Sequence, residues 1–241
     1  TNAGQVILVN CDNITAENLD LSNASVGVEL LGTDNSTIKN INSSNNILGF
    51  AIYMSSNNTL TNNIASNNPY KVFDSDQYSH NNVVEDLTIS SYPTTISFTY
   101  DNGIRIASVT DPYSDPVGKK NIGKYVDVDA FGSGSWIFLK VSYSNADVTN
   151  IVEDSLRLYH WNRTETEWEV IQGSNVNTEE NYVYANVTSF SQIAPFGNPT
   201  PTPTPPPAPP RGGGGGGAPR DSDGDGITDI EEMLQGTDPK D

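Results

Sequence analysis

Near the carboxyl end of the chain, Asp221, Asp223 and Asp225 alternate with Ser222 and Gly224; Gly226 follows, and Glu232 closes a twelve-residue stretch. Carboxylates at alternate positions of a tight loop turn their oxygens toward a common centre, which is chemistry suited to a hard cation. Gly226 stands at the sixth position, where the loop must turn sharply and a side chain is least welcome. The expected ligands are Asp221, Asp223, Asp225, the main-chain carbonyl of Ile227, Asp229 directly or through water, and Glu232 through both carboxyl oxygens. Calcium (Ca2+) fits this all-oxygen set. Magnesium fits less well, because it keeps several waters and prefers phosphate oxygens as company. Behind the loop, Ile227, Ile230, Met233 and Leu234 fall on one helical stripe, and Gly236 is placed to end the helix.

Few other residues are spaced for chemistry. Asp12 and Asp34 occupy equivalent positions of a repeat described below, and a pair of facing carboxylates is what glycoside cleavage needs. Acids stacked at a corner also serve as solvated turn residues, and the third copy carries Ser56 there. Cys11, Met54 and His80 are soft or imidazole ligands of the kind copper takes, but they sit at unrelated repeat positions. His160 lies in strand-like alternation with no cysteine nearby. With no nucleophile–base constellation in view, the expectation is a protein that is not an enzyme.

Composition narrows the partners. Thirty Asp and Glu stand against 12 Lys and Arg, a formal net charge of −18. Such a surface repels nucleic acid and anionic lipid and attracts cations. No stretch approaches the roughly 20 apolar residues of a membrane span. Cys11 is the single cysteine, so no internal disulfide can form and stability must come from core, metal or assembly. Asn-x-Ser/Thr sequons at Asn13, Asn23, Asn35, Asn42, Asn57, Asn162 and Asn186 suggest glycosylation, and with it export to the cell surface.

The elements that carry these residues begin with a repeat of 22 residues. Val6, Val28 and Phe50 coincide, as do Leu8, Leu30 and Ile52, then Ala16, Ile38 and Leu60. Asn13, Asn35 and Asn57 form a further column, followed by Asn18, Asn40 and Asn62, by Ser22, Ser44 and Ser66, and by Asn23, Asn45 and Asn67. Short alternating strands separated by Asn, Ser and Gly predict a right-handed parallel β-helix, in which each coil templates the next and stacked Asn hydrogen-bond along the corners. A fourth, degenerate coil is expected over 70–90, with Val72, Val83, Leu87 and Ile89 inward.

From about Ser91 the texture changes to longer strands, predicted at 94–100, 104–110, 124–130, 136–144, 155–161, 167–171, 182–187 and 192–196. Turn signals such as Asp101-Asn102-Gly103 divide them, which argues for an antiparallel β-sandwich with Trp136, Trp161 and Phe190 as core aromatics. Pro and Thr then dominate 199–210, and 212–217 are all Gly, a stiff polyproline spacer of roughly 35–40 Å followed by a free joint. The expected organisation is β-helix over 1–90, sandwich over 91–197, linker over 198–220 and calcium loop-helix over 221–241, an all-β chain apart from that helix.

Three resemblances bear on these segments. "SSNNTLTNNIASNN" resembles NosD-type β-helix repeats common in surface proteins of methanogenic archaea. "SLRLYHWNRTETEWEVI" with "ANVTSFSQIAPFG" resembles a β-sandwich module that follows such repeats, which implies a spacer or interaction surface. "DSDGDGITDIEEMLQGTDPKD" resembles a thrombospondin type 3 repeat and, more loosely, half of a dockerin. Together they imply an extracellular structural or adhesive protein, self-associating into a layer or filament or binding another surface protein through calcium-stabilised contacts. The open strand edges of a short β-helix support the same expectation. The alternatives are a carbohydrate-binding or carbohydrate-cleaving β-helix acting on a surface polysaccharide, and a scaffold module in a cohesin-like partnership.

Overall fold

A computed structural model describes residues 4–89, 92–201, 219–238 and 240. The spacer expected over 199–210 and the glycine joint over 212–217 lie almost wholly outside the described residues. Two compact units result, Thr1–Thr200 and Pro201–Asp241.

The first unit opens with a β-solenoid of about four coils. Strands β1 (Val6–Val9), β2 (Thr15–Glu17) and β3 (Asp20–Ser22) make the first coil, and β4 (Val26–Leu31), β5 (Thr37–Lys39) and β6 (Asn42–Ser44) the second. The third has β7 (Leu48–Tyr53), β8 (Thr59–Thr61) and β9 (Ile64–Ser66), and the fourth β10 (Lys71–Ser75) and β11 (Val83–Ile89). The parallel register follows the sequence repeat: Val6 pairs with Val28 and Val28 with Phe50, while Ala16 pairs with Ile38 and Ile38 with Leu60. Val28, Leu30, Ile38, Phe50, Ile52 and Leu60 are fully buried.

Corners turn through left-handed backbone, and asparagine supplies it. Asn13, Asn18, Asn23, Asn35, Asn40, Asn45, Asn57, Asn62 and Asn67 all have positive φ, a conformation that Asn tolerates and most residues do not. Exposed Asn40 donates to the Asn18 side chain at 3.1 Å, and Asn67 to Asn45 at 3.3 Å. The larger contribution comes from the residue after each corner. Asn46, Asn58 and Asn63 are buried, and each reaches back one coil. Their carbonyls accept from the backbone N–H of Ala24, Ser36 and Ile41, and their amides donate to the carbonyls of Leu21, Thr33 and Ile38. Beside this inner ladder the chain needs glycine: a Cβ on Gly49 would stand 2.5 Å from the Val72 carbonyl oxygen and 3.0 Å from the Asn68 amide.

One corner departs from the pattern. Asn10, Gly32 and Met54 share a column and all have positive φ, yet Met54 has neither the short polar side chain of Asn nor the freedom of Gly. It is exposed; its N–H donates to the Asp76 carboxylate at 3.1 Å, a backbone contact that any residue there keeps, so the side chain itself offsets none of the strain. Met54→Asn is expected to raise stability by up to about 1 kcal/mol, read as a higher denaturant midpoint at unchanged slope; an unmoved midpoint would mean that this corner carries no strain.

The fourth coil is two residues longer. Asn58 and Asn82, 24 apart, hold equivalent places. Val84 therefore pairs with Leu60 and turns inward, 1 % exposed, while Val83 pairs with Thr59 and is only half-buried. The expectation of Val83 inward is corrected by that register; Val72, Leu87 and Ile89 are buried as anticipated.

Both solenoid sheets continue into antiparallel strands. The remaining strands are β12 (Thr94–Asp101), β13 (Ile104–Ala107), β14 (Lys120–Asn121), β15 (Val126–Ala130), β16 (Trp136–Ser142), β17 (Ile151–Asn162), β18 (Glu167–Val170), β19 (Asn175–Asn177), β20 (Tyr182–Val187) and β21 (Gln192–Pro199). Among the described residues, one sheet runs β1-β4-β7-β10-β13-β15-β21-β17-β18 and the other β19-β20-β16-β12-β11-β8-β5-β2. The change of texture near residue 90 thus falls between β11 and β12, which pair with each other. One apolar core, from Leu21 to Ile193, is shared by both sheets. Across it the Phe73 ring meets Phe98 edge-on at 5.1 Å. The buried tryptophan is Trp168, whereas Trp136, Trp161 and Phe190, expected in the core, are half-buried.

The second unit contains α1 (Asp229–Gln235), closed by Gly236 in the left-handed conformation. Among the described residues no helix is long and apolar enough to cross a membrane.

Candidate metal centre

The loop that precedes α1 is built from its own carboxylates. Asp221 accepts the backbone N–H of Gly224 at 2.7 Å and of Gly226 at 3.0 Å. Asp223 accepts from Asp225 N–H at 3.1 Å, and Asp225 from Ile227 N–H at 2.8 Å. Positive φ at Gly224 and Gly226 lets the chain curl around these acceptors. The result is an oxygen from each of Asp221, Asp223 and Asp225, all within 4.8 Å of one another. Among the described residues this is the group of His, Cys, Asp or Glu side chains drawn together tightly enough to hold a metal ion.

Glu232, on α1, lies close enough to this cluster for its charges to act on it. It is 3 % exposed, and its Oε2 is buried without a hydrogen-bond partner. Burial pushes its carboxyl above the usual range, and the charges of Asp223, Asp225, Asp229 and Asp221 push the same way. A buried carboxylate oxygen facing like charges is disfavoured unless something positive joins them. Asp221 is held below its usual range, first by the Gly224 N–H. The donors are all hard oxygens, so the residues present fit a calcium ion.

Asp229 is differently engaged. Its two carboxylate oxygens accept from the Ser222 N–H and hydroxyl, each at 2.7 Å, and its own N–H donates to the Arg220 carbonyl at 2.8 Å. Among the two routes open to it, ligation through water suits a carboxylate so occupied. Ile227 lies at the turn into the helix, where Thr228 caps α1 and exchanges hydrogen bonds with Glu231 in a capping box. That pairing, with the Thr228 hydroxyl as first cause, keeps the Glu231 carboxyl below its usual range. Glu231 is thereby occupied with the cap, while Glu232 faces the Asp cluster.

Other candidate groups are placed apart from this centre. Asp12 and Asp34 form a parallel bridge; Asp12 accepts from the Asn35 amide at 2.7 Å and Asp34 from the Ser56 N–H at 2.6 Å. They stitch a corner. His80 pairs with Asp101 at 2.8 Å and His160 with Glu169 at 3.5 Å. Cys11 is half-buried, with Sγ 3.4 Å from the Val9 carbonyl. Of the sequon asparagines, Asn13, Asn23, Asn35, Asn57 and Asn186 are exposed, whereas Asn42 and Asn162 are half-buried; the Asn162 amide donates to Glu169 at 2.6 Å.

Residues 221–241 match the bacterial TSP3 repeat, a thrombospondin type 3-like family whose members bind calcium. No curated protein and no solved structure matches the chain.

Proposed function

We propose that this chain is a non-catalytic structural or adhesive protein of the cell exterior, whose carboxyl-terminal module binds calcium and uses it to make contacts between molecules. The observation that carries this reading is the convergence of Asp221, Asp223 and Asp225, whose charges act on the nearby Glu232 with its unpartnered buried oxygen. Ile230, Met233 and Leu234 on α1 are 67, 72 and 83 % exposed, an apolar stripe ordered by the same loop that would hold the ion. A cation there fixes the loop, the loop fixes the helix start, and the helix presents the stripe.

Self-association is the form of contact we favour. β1 and β2 stand at the ends of their sheets among the described residues, with Ile7 and Val9 exposed on β1. Strands at a sheet end pair readily with a further strand, and a second copy can supply it. Sedimentation velocity of the full chain is expected to show larger species with excess calcium and a return to the smaller one after EDTA. A monomer at high concentration in calcium would rule self-association out and leave a heterotypic partner, such as another surface protein, as the object of the module.

A further inference from the structure

The outer face of the sheet that contains β13, β15, β21, β17 and β18 carries a second, smaller apolar cluster. Val109, Tyr125, Trp168, Ala194 and Phe196 form it, with Tyr159 and Trp161 packed against it. The segment after β13 lies over this cluster. The Trp168 indole N–H donates to the Ser114 carbonyl at 2.9 Å, and the Gln192 amide donates to the Asp111 carbonyl at 3.4 Å. Between segment and sheet is a cavity of about 320 Å³, lined by Ser108, Tyr113, Asp127, Trp161, Arg163 and Gln192 among others.

Strand register explains why these side chains meet. Ala107 pairs with Asp127 and Asp127 with Gln192; His160 pairs with Ile193, which brings Trp161 level with Gln192. Residues in one cross-strand row share a face of the sheet. A carboxylate, an amide and an indole therefore stand side by side. Tyr113 stacks flat on Trp161, with centroids 3.9 Å apart and planes 6° from parallel.

Two features of the row point beyond packing. Among the described residues three buried side-chain polar atoms lack a partner: one is the Glu232 oxygen, and the other two, Ser108 Oγ and Gln192 Oε1, belong to residues lining this cavity. Unsatisfied buried oxygens are unfavourable in a structural core, and their place at the wall of this cavity marks it as polar space that water or a ligand fills. The lining also mixes signs, with Arg163 against Asp127 and Asp111, so it does not select a strong ion. The net charge of −18 further disfavours an anion.

Hydroxyl groups that both donate and accept, set on a ring with an apolar face, match this lining. We propose that the cavity binds a neutral pyranose unit of a glycan, with the ring against the exposed side of the Tyr113–Trp161 stack and its hydroxyls on Asp127 and Arg163. The size is at the small end of ligand sites, which suits one sugar residue of a longer chain. Two acids near the rim make a small organic cation the competing ligand.

The test is a nuclear magnetic resonance titration of the full chain in EDTA. Methyl glycosides of glucose, galactose, mannose and N-acetylglucosamine serve as probes, with tetramethylammonium as the cation. At least one glycoside is expected to shift the Trp161 indole signal and the amides of residues 108–113 saturably, leaving Trp136 still. Asp127→Asn and Arg163→Ala are expected to weaken that binding by about 10-fold or more, the usual cost of a lost charge-assisted hydrogen bond. Neither residue belongs to the apolar core, so the dispersed β signals of both variants should persist. The proposal is overturned if no glycoside moves these signals, if tetramethylammonium alone does, or if the variants bind as well as the parent. EDTA keeps the carboxyl-terminal loop out of the measurement, so failure here leaves the calcium reading intact.

Discussion

Asn58→Ala is expected to lower folding stability by about 3–5 kcal/mol, a large part of the 5–15 kcal/mol that a domain usually has. The side chain spans two coils from inside the solenoid wall. Its carbonyl accepts the Ser36 N–H at 2.9 Å and its amide donates to the Thr33 carbonyl at 2.8 Å. Ser36 and Thr33 are themselves buried, so water cannot replace the lost partner without opening the wall. Two buried backbone groups would be left unsatisfied at once, and each costs about 1–3 kcal/mol. Asn40→Gly provides the comparison. Asn40 is exposed, and glycine keeps its left-handed turn, so its change should stay within about 0.5 kcal/mol. Urea unfolding of the two variants reads the difference directly. Equal midpoints would mean that the outer asparagines carry as much as the inner ones and that the inner ladder is incidental.

That contrast marks what the sequence makes legible. A period of 22 with apolar residues two apart gives the coils, their strands and the inward columns, because a parallel register repeats each side chain over its equivalent. Corner asparagines are also readable, since few other residues accept positive φ. What the pattern hides is the residue after each corner. Asn46, Asn58 and Asn63 stand in columns with Ala24, Ser36 and Ile41, so the type is absent from the preceding copy although Asn68 and Asn82 repeat it in the next, and in a chain so rich in Asn nothing separates the buried ones from the exposed. Periodicity fails again where the fourth coil gains two residues, and Val84 takes the place expected of Val83.

The junction near residue 90 is a change of strand direction as well as of composition. Composition changes there because parallel coils and antiparallel strands need different turns, yet edge strands β10 and β11 remain free to pair, and β13 and β12 take them. The three sequons Asn13, Asn35 and Asn57 have a second cause of this kind. Each corner needs Asn for its positive φ, and two residues later Thr15, Thr37 and Thr59 begin strands, where a β-branched residue is favoured. Fold geometry alone thus writes Asn-x-Thr at these three positions. The Trp161 cavity leaves no local signature, since its lining comes from four separate strands and loops. The carboxyl-terminal loop is the opposite case. Its candidate ligands lie within twelve residues, so spacing alone gathers Asp221, Asp223 and Asp225, whereas the capture of Asp229 by Ser222 has no trace in the spacing.

Calcium is expected to order the carboxyl-terminal module, and chelation to undo it. A helix of seven residues is too short to persist in water by its own hydrogen bonds. The capping box fixes the start of α1, but the charges of Asp221, Asp223, Asp225 and Glu232 oppose the same turn. A divalent ion reverses that sign: repulsion becomes shared ligation, and the buried Glu232 oxygen gains its partner. Calorimetry should find one site in the full chain, and amide signals from 221–235 should disperse with calcium and collapse with EDTA. Adjacent glutamates give the sharper comparison. Glu232→Gln removes a charge from the cluster and is expected to weaken uptake by roughly 10-fold or more, since affinity in such loops is tuned over decades by ligand charge. Glu231→Gln alters a neighbouring residue that serves the cap, keeps a side chain able to cap, and should leave affinity within about 2-fold. Equal losses in the two variants would mean that overall charge, not the geometry of the loop, attracts the ion, and calcium could then no longer be credited with holding α1 and its apolar stripe in place.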